Sequence, residues 1–445
     1  MNALPAHFKK VSVLGAGESG VAAARLLASE GVAVTVLDTA PLENVGERAR
    51  QLAEAGIPLC SGLAALEVPA DTSLAVLSPG IDPVSPQVQA FVRAGVPLTG
   101  ELETAFQRCA CPVVAITGTN GKTTTTQLVE SLFNGAGFPT RACGNIGPAF
   151  SSEVSNSRNL ALLTVEVSSF QLETIQTFRP KIAVWLNFAP DHLDRYASLQ
   201  EYFRAKVRVF ENQSPEDWAV INARDTLPPL RAKVLRFSAY EPYSQETDFT
   251  LKNGTIEFRG EPVLRLTETR LRGSHNAENL MAALACGHAW GLSWDAMRAS
   301  LCAYKALPHR CEVVGTVAGV EYVNDSKATN LDAVEKALSS ETRRVVLIAG
   351  GKDKGFEFGA LTELVAARCR AAVLIGEMAG RIQKCWEPSL FCLRAGSLAE
   401  AVVLSQDVAE PGDLVLFSPG TSSFDMFKNY ADRGNQFRAL VQQLS

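Results

Sequence analysis

Gly118-Thr-Asn-Gly-Lys-Thr123 sets two glycines, a cation and a hydroxyl between the apolar run Pro112-Val-Val-Ala-Ile116 and the segment Gln127-Leu-Val-Glu-Ser-Leu-Phe133. The run reads as a strand and the segment as a helix. Strand, glycine turn and helix in that order make a phosphate cradle: backbone N–H groups and the positive helix end converge on one spot. Lys122 would add a mobile cation for the β- and γ-phosphates, and Thr123 a hydroxyl for Mg²⁺. Gly118 and Gly121 stand closer together than the corresponding glycines of the common phosphate loop. Four threonines in a row, 123–126, are poor helix formers. A hydroxyl-rich first turn is accounted for as a phosphate and metal site, so a nucleoside triphosphate is expected here.

Other groups able to do chemistry also fall at strand ends. Gly15-Ala-Gly-Glu-Ser-Gly20 follows one apolar run, and Asp38 closes the next, eighteen positions beyond Gly20. Alone, this fits a dinucleotide fingerprint with Asp38 on a ribose hydroxyl, without saying which nucleotide or sugar diphosphate binds. Glu166 ends the strand read over 161–165, where a carboxylate beside a phosphate loop suits Mg²⁺. A capping or surface glutamate is the plainer alternative. Asp191-His-Leu-Asp-Arg-Tyr196 lies past the strand read over 182–186, at its carboxyl end. His192 there is a ligand, an acid–base group or simply a solvated loop histidine. In the last third, Asn324-Asp-Ser-Lys-Ala-Thr-Asn330, Gly350-Gly-Lys-Asp-Lys-Gly355 and Ser418-Pro-Gly-Thr-Ser-Ser-Phe-Asp425 each follow a strand. Lys327 and Thr329 suggest anion contact. The 418–425 stretch reads as opening a helix whose N–H groups and hydroxyls would bind an acid. Three such loops in one domain are unlikely to arise by chance.

These residues need a scaffold that presents strand ends, and the chain supplies one. Strand and helix patterns alternate over the first hundred residues, again from Pro112, and again from about residue 312, as in open parallel sheets covered by helices. The expected fold is α/β in three domains: Rossmann-like over 1–100, a central phosphate-loop ATPase over 101–306, and Rossmann-like again over 307–445. Residues 234–270, with Asn253-Gly254, read as antiparallel β, and 276–290 as an alanine-rich helix. A length of 445 residues gives ample core, and a net charge of −5 invites neither nucleic acid nor an anionic membrane. Met1 to Lys10 has no apolar segment suited to a signal peptide, and no apolar run reaches a membrane span. Ten cysteines without a C-x-x-C pair read as reduced thiols in a cytoplasmic protein.

Taken together, the shortened loop Gly118–Thr123, Gly144-Asn-Ile-Gly147, Asp191–Tyr196 and Asn324–Asn330 resemble the Mur ligases over the whole length of the chain. The resemblance implies an ATP-dependent amide ligase adding D-glutamate to UDP-N-acetylmuramoyl-L-alanine in peptidoglycan precursor synthesis. ATP would phosphorylate the alanyl carboxylate, and the D-glutamate amine would displace phosphate through a tetrahedral intermediate. It further implies ATP contacts at Gly118, Thr119, Asn120, Gly121, Lys122, Thr123, Thr124, Asn276, Asn279, Arg310 and Asp325. The UDP substrate would meet Gly15, Gly17, Glu18, Ser19, Asp38, Thr39, Gly80 and Asn145, so that the first glycine loop holds UDP rather than NAD. D-glutamate would meet Thr329, Lys354, Ser423 and Tyr430. Two Mg²⁺ ions would be held by Thr123, Glu166, His192 and Lys206, the last as a carbamate, with Lys122, His192, Lys206 and Lys327 catalytic. Read from its own surroundings, Lys206 is only a helix-surface lysine. A monomer with no nucleic-acid or membrane partner is expected. Ala40 and Tyr430 depart from the pattern, which has an arginine over the uracil and a phenylalanine beside D-glutamate. The alternatives are a sister ligase, a folylpolyglutamate-type enzyme, or an NAD-dependent dehydrogenase. The dehydrogenase leaves Lys122–Thr126 unexplained.

Overall fold

Runs of Val, Ile, Leu and Ala that are apolar at every position must be covered on both faces, which favours parallel strands under helices. A computed structural model of the protein describes residues 9–192, 195–305, 308–339 and 341–444. Among these residues the strands form three sheets of five, nine and six. The first eight residues, Leu193 and Asp194 of the 191–196 cluster, and the expected boundary at 306/307 lie outside the described residues. No helix among the described residues is long and apolar enough to cross a membrane.

The first sheet is parallel throughout, in the order Leu59–Ser61, Ala33–Asp38, Lys10–Leu14, Leu74–Leu77, Leu98–Gly100. Val11, Val13, Val36 and Val76 pack on one face with Leu27 of the helix Glu18–Ser29. Leu14, Leu37 and Leu77 pack on the other with Phe91. Strand order reverses beside Lys10–Leu14, so the glycine loop that follows it opens at the crevice where open α/β sheets bind ligands.

The central sheet runs Glu261–Arg265, Thr255–Phe258, Phe249–Lys252, Lys233–Ser238, Trp218–Asn222, Ile182–Trp185, Val113–Thr117, Leu162–Glu166, Thr140–Gly144. Residues 234–270 are only in part the antiparallel segment expected, since Phe249–Lys252 pairs antiparallel with Thr255–Phe258. Lys233–Ser238 pairs parallel to Trp218–Asn222, and Phe249–Lys252 parallel to Lys233–Ser238. The chain reverses at Asn253 and Gly254, whose φ angles of 49° and 74° make the tight hairpin to Thr255–Phe258, and it turns again at Arg259 and Gly260, with φ 51° and 90°, into the neighbouring strand Glu261–Arg265. A turn signal fixes direction only at its own position, and the two earlier connections are long enough to cross over.

The third sheet has the order Glu312–Val317, Val320–Asn324, Leu414–Phe417, Val345–Gly350, Cys369–Ile375, Cys392–Arg394. Only its first pair is antiparallel. The 418–425 stretch does not open a helix, contrary to the sequence reading. It runs as loop, and the helix Tyr430–Gln443 begins only where the Asn429 side chain accepts from the Asp432 N–H. Asparagine is among the best caps, and no residue of 418–425 caps a helix here.

The described residues form two compact units. One comprises those of Met1–Phe188, Leu199–Leu264 and Glu278–Ala303; the other comprises those of Ala189–Ser198, Arg265–Ala277 and Tyr304–Ser445.

Candidate active site

In the first unit the phosphate loop leaves the strand Val113–Thr117 and ends at the helix Lys122–Gly135. Gly121 precedes that helix with φ 84°, and a Cβ there would lie 2.3 Å from Asn279 Oδ1. Only glycine fits both restraints. Asn187, at the end of the neighbouring strand, clamps the loop from the side. Its carbonyl accepts from Thr119 N–H at 3.0 Å and its Oδ1 from Asn120 N–H at 2.9 Å, while its Nδ2 donates to Asn120 O at 3.0 Å. Lys122 Nζ donates to Gly118 O at 3.0 Å and Thr119 O at 2.7 Å, folded over the loop it serves.

The four threonines divide their work. Thr125 Oγ1 donates to Asn279 Oδ1 at 3.1 Å, and Thr126 Oγ1 to Lys122 O at 2.8 Å. Both hydroxyls are therefore engaged in holding the helix, and the reading of the whole run as a phosphate and metal site is too generous. Thr123 is different, because its Oγ1 donates to Glu166 Oε2 at 2.8 Å. Glu166 is 2% exposed, neither cap nor surface group. Its Oε1 accepts from Asn145 Nδ2 at 2.8 Å and its carbonyl from Asn145 N–H at 2.9 Å. This follows from the parallel register in which Gly144 pairs with Glu166. A Cβ on Gly144, whose φ is 102°, would lie 2.4 Å from Glu166 O. Thr123, Asn145 and Glu166 thus converge, and the hydroxyl and carboxylate are the hard oxygen donors that Mg²⁺ selects.

Lys206 overturns its plain reading as a surface lysine. It is 2% exposed, with Nζ donating to Gly118 O at 2.8 Å and lying 4.8 Å from the centre of the Tyr202 ring. The helix Leu199–Val207 turns this side chain inward, alongside Tyr202 four residues earlier. Tyr202 Oη in turn meets Thr119 Oγ1 at 3.3 Å. An amine is therefore packed against the phosphate loop itself.

The Gly15–Gly20 loop is closed by its own glycines: a Cβ on Gly20 would stand 1.9 Å from Gly15 O. Asp38 ties this loop down, accepting from Ala16 N–H at 2.6 Å and from Ala40 N–H at 2.8 Å. Ser78 Oγ donates to Gly15 O at 3.0 Å. Glu18, Thr39 and Gly80 are exposed, and Gly17 and Ser19 half-buried, around that loop.

The second unit gathers the three loops expected at its strand ends. Gly350 N–H donates to Pro419 O at 2.9 Å, Lys352 N–H to Ser422 O at 3.0 Å, and Gly420 N–H to Ala328 O at 3.0 Å. Arg433, fully buried on the helix Tyr430–Gln443, fastens two of them. Its Nε donates to Ser326 Oγ at 3.0 Å, and its Nη2 to Ser326 O at 2.8 Å and Thr421 O at 3.2 Å. Burial lowers its pKa to about 10, so it stays charged at neutral pH. Asp325 accepts from Ser418 Oγ at 2.9 Å and Cys311 N–H at 3.3 Å. Burial pushes its carboxyl up to about 6, against the pull of these bonds and of the Arg310 guanidinium.

Lys327 Nζ sits 3.9 Å from the centre of the Tyr430 ring. The tyrosine noted as a departure keeps an aromatic face under this cation, as phenylalanine would. Lys354 Nζ lies 3.7 Å from Asp191 Oδ1, whose Oδ2 accepts from Asn330 Nδ2 at 3.3 Å. His192 adjoins them, with left-handed φ 55° and its N–H donating to Asp191 Oδ1 at 2.9 Å. Burial raises the Asp191 carboxyl, but the His192 and Lys354 charges outweigh it and hold it below the usual range. Thr329 and Arg310 are half-buried in this unit and Ser423 is buried, its carbonyl accepting from Phe427 N–H at 2.9 Å. Asn276 Nδ2 donates to Arg272 O at 2.8 Å. Asn276 and Asn279 lie three apart on the helix Ser274–Trp290, the first in this unit and the second in the other.

Asn187, Tyr202, Asn330 and Arg433 were not assigned from sequence. A signal existed for Arg433, which stands four residues before the buried Phe437 on one helix face. None existed for Tyr202, whose partner Thr119 is remote in sequence.

Three family models match the chain in series. They are a Mur ligase MurD-like N-terminal domain over residues 9–100, a Mur ligase middle domain over 116–287, and a Mur ligase glutamate ligase domain over 309–420. A UDP-N-acetylmuramoylalanine–D-glutamate ligase of Pelotomaculum thermopropionicum is 40% identical, with 98% of each chain covered. The enzyme of that name from Trichlorobacter lovleyi is 42% identical over 98% of this chain and 99% of its own. Among solved structures, the MurF ligase of Thermotoga maritima in complex with ADP covers 99% of this chain and 100% of its own. It has a TM-score of 0.63 at 15% identity, a likeness of fold.

Proposed function

This chain belongs to the Mur ligase family, and from that premise we propose that it joins D-glutamate to UDP-N-acetylmuramoyl-L-alanine with hydrolysis of ATP to ADP and phosphate. It is a ligase of peptidoglycan synthesis. The observation that carries the reading is the buried Glu166 carboxylate, held between Thr123 Oγ1 and Asn145 Nδ2 beside a phosphate loop. A carboxylate so placed serves a metal–phosphate complex, whereas a dehydrogenase has no use for it.

In this reading residues 1–100 bind the UDP moiety, 101–306 bind ATP, and 307–445 bind the amino acid. Backbone N–H groups of Gly118–Thr123 and the Lys122 ammonium hold the β- and γ-phosphates. Thr123, Glu166, His192 and Lys206, the last as a carbamate, would hold two Mg²⁺ ions, and these would supply positive charge for the phosphoryl oxygens. Asn276, Asn279, Arg310 and Asp325 hold the rest of ATP. Glu18, Ser19 and Thr39 border the uridine, and Asp38, whose two oxygens already accept loop N–H groups, shapes that pocket as much as it touches ligand. Lys122 and Lys327 carry fixed positive charge to the oxygens of the acyl phosphate and of the tetrahedral intermediate. Lys354, Thr329, Ser423 and Tyr430 orient D-glutamate so that its amine faces the acyl carbon. The enzyme works as a cytoplasmic monomer.

The test is phosphate release with ATP, Mg²⁺, UDP-N-acetylmuramoyl-L-alanine and either enantiomer of glutamate. Release that requires D-glutamate is expected. Equal release with L-glutamate, or release only with a different amino acid, would overturn the substrate assignment in favour of a sister ligase.

A further inference from the structure

Cys109 and Cys111 lie in the irregular chain between the helix Glu101–Phe106 and the strand Val113–Thr117. Their sulfurs are 3.8 Å apart, and Cys109 Sγ donates to Cys111 O at 3.3 Å. Both are half-buried and so within reach of a small reagent, unlike the buried Cys143, Cys286, Cys369 and Cys392. The segment is held at two neighbouring points. Arg108 Nε donates to both carboxylate oxygens of Glu30 at 2.8 Å, and Ala110 N–H donates to Ser157 Oγ at 3.0 Å. These ties fix the backbone on which the two thiols face each other.

We infer that Cys109 and Cys111 form a dithiol site that reacts with low-molecular-weight disulfides and closes to an intramolecular disulfide. Cys109 is the attacking group. The neighbouring Cys111 sulfur holds its thiol below the ordinary range despite burial, and the thiolate is the nucleophile. Cys109 thiolate attacks one sulfur of the reagent R–S–S–R, forming a mixed disulfide and releasing R–S⁻. Cys111, once deprotonated, attacks Cys109 Sγ and releases the second R–S⁻. The two thiolates released take up the two thiol protons, the protein dithiol is oxidised, and the reagent disulfide is reduced.

The experiment uses the full-length reduced protein with oxidised glutathione under native conditions, followed by acid quench, denaturation, alkylation and peptide mass analysis. The peptide carrying both residues is expected to lose two hydrogens and escape alkylation before the exposed Cys385 has reacted to a similar extent. Dithiothreitol restores both alkylation sites. Cys111→Ser is expected to stop at the glutathione adduct on Cys109. Alkylation of both residues in the wild type while Cys385 carries the glutathione would overturn the inference. So would glutathione retained on wild-type Cys109 as stably as in Cys111→Ser. The wild-type measurement stands alone if the variant does not fold.

Discussion

Asp325→Asn tests whether a buried carboxylate beside the expected nucleotide site is kept at a cost. In the fold this carboxyl is raised from 3.8 to about 6, with burial as the first cause. One pKa unit is worth about 1.4 kcal/mol, so holding Asp325 ionised costs the folded state on the order of 3 kcal/mol. The sign follows from proton counting. Between about pH 4 and 6 the folded state binds the extra proton, so this group's contribution to stability falls as pH rises through that window. Asparagine cannot ionise, and its Oδ1 still accepts from Ser418 Oγ or Cys311 N–H.

The assay is urea unfolding of wild type and Asp325→Asn at pH 4.5 and pH 7.5, compared as a double difference so that other titrating groups cancel. Relative to the variant, wild type is expected to lose about 2 kcal/mol between the two pH values, because pH 4.5 already lies above the unfolded carboxyl's pKa. The variant should meanwhile bind ATP more weakly, because a neutral amide no longer attracts and positions the Arg310 guanidinium. A double difference near zero would refute the argument that burial dominates this carboxyl. Unchanged ATP affinity would remove Asp325 from the nucleotide site.

Lys122→Ala is expected to lower the rate of phosphate release by on the order of 10²-fold or more, with the unfolding midpoint unchanged, because the loop is also held by Asn187; near-normal turnover would count against the ATP site. Gly121→Ala should cost about 1–2 kcal/mol for the left-handed backbone alone, with more for the approach to Asn279, and raise the KM for ATP. Wild-type stability and KM in that variant would contradict the loop geometry. Lys354→Ala should raise the KM for D-glutamate far more than that for ATP. It should also shift Asp191 titration upward, since Lys354 is one of two charges opposing burial there. Separate titrations of the two substrates would check the first effect, and carboxyl NMR of Asp191 the second.

Parallel sheets covered on both faces wrote themselves into the chain as uniform apolar runs, which is why Val113–Thr117, Leu162–Glu166 and Val345–Gly350 could be found within a residue or so. Loops at the carboxyl ends of those strands were where chemistry was expected, because open α/β sheets bind ligands in the crevice outside those ends. Direction was less legible. The parallel pairing of Lys233–Ser238 depends on partners distant in sequence, and a hairpin signal at Asn253-Gly254 spoke for its own two residues only. The helix expected at 418–425 failed for a related reason. Hydroxyls and glycine in that stretch serve a loop that pairs with residues 325, 328 and 352, and none of those pairings has a local signature.

Side-chain roles divide along the same line. Glu166 was legible because a carboxylate at the end of an apolar strand is costly without a task. Lys206 was not, because its burial depends on Tyr202 within its own helix and on Gly118 O far away in sequence. The same distinction bears on how the loop works. Lys122 Nζ is satisfied by two neutral carbonyls of its own loop. Phosphate oxygens carry charge, and charge-assisted hydrogen bonds are roughly twice as strong as neutral ones. A nucleotide entering the cradle therefore offers the ammonium a better partner within reach of a change of rotamer. The carbonyls hold the cation close by until then, so binding need not draw it in from solvent. Arginine would not do the same at position 122, because its planar fork cannot share three donors between Gly118 O, Thr119 O and a third acceptor as an ammonium does.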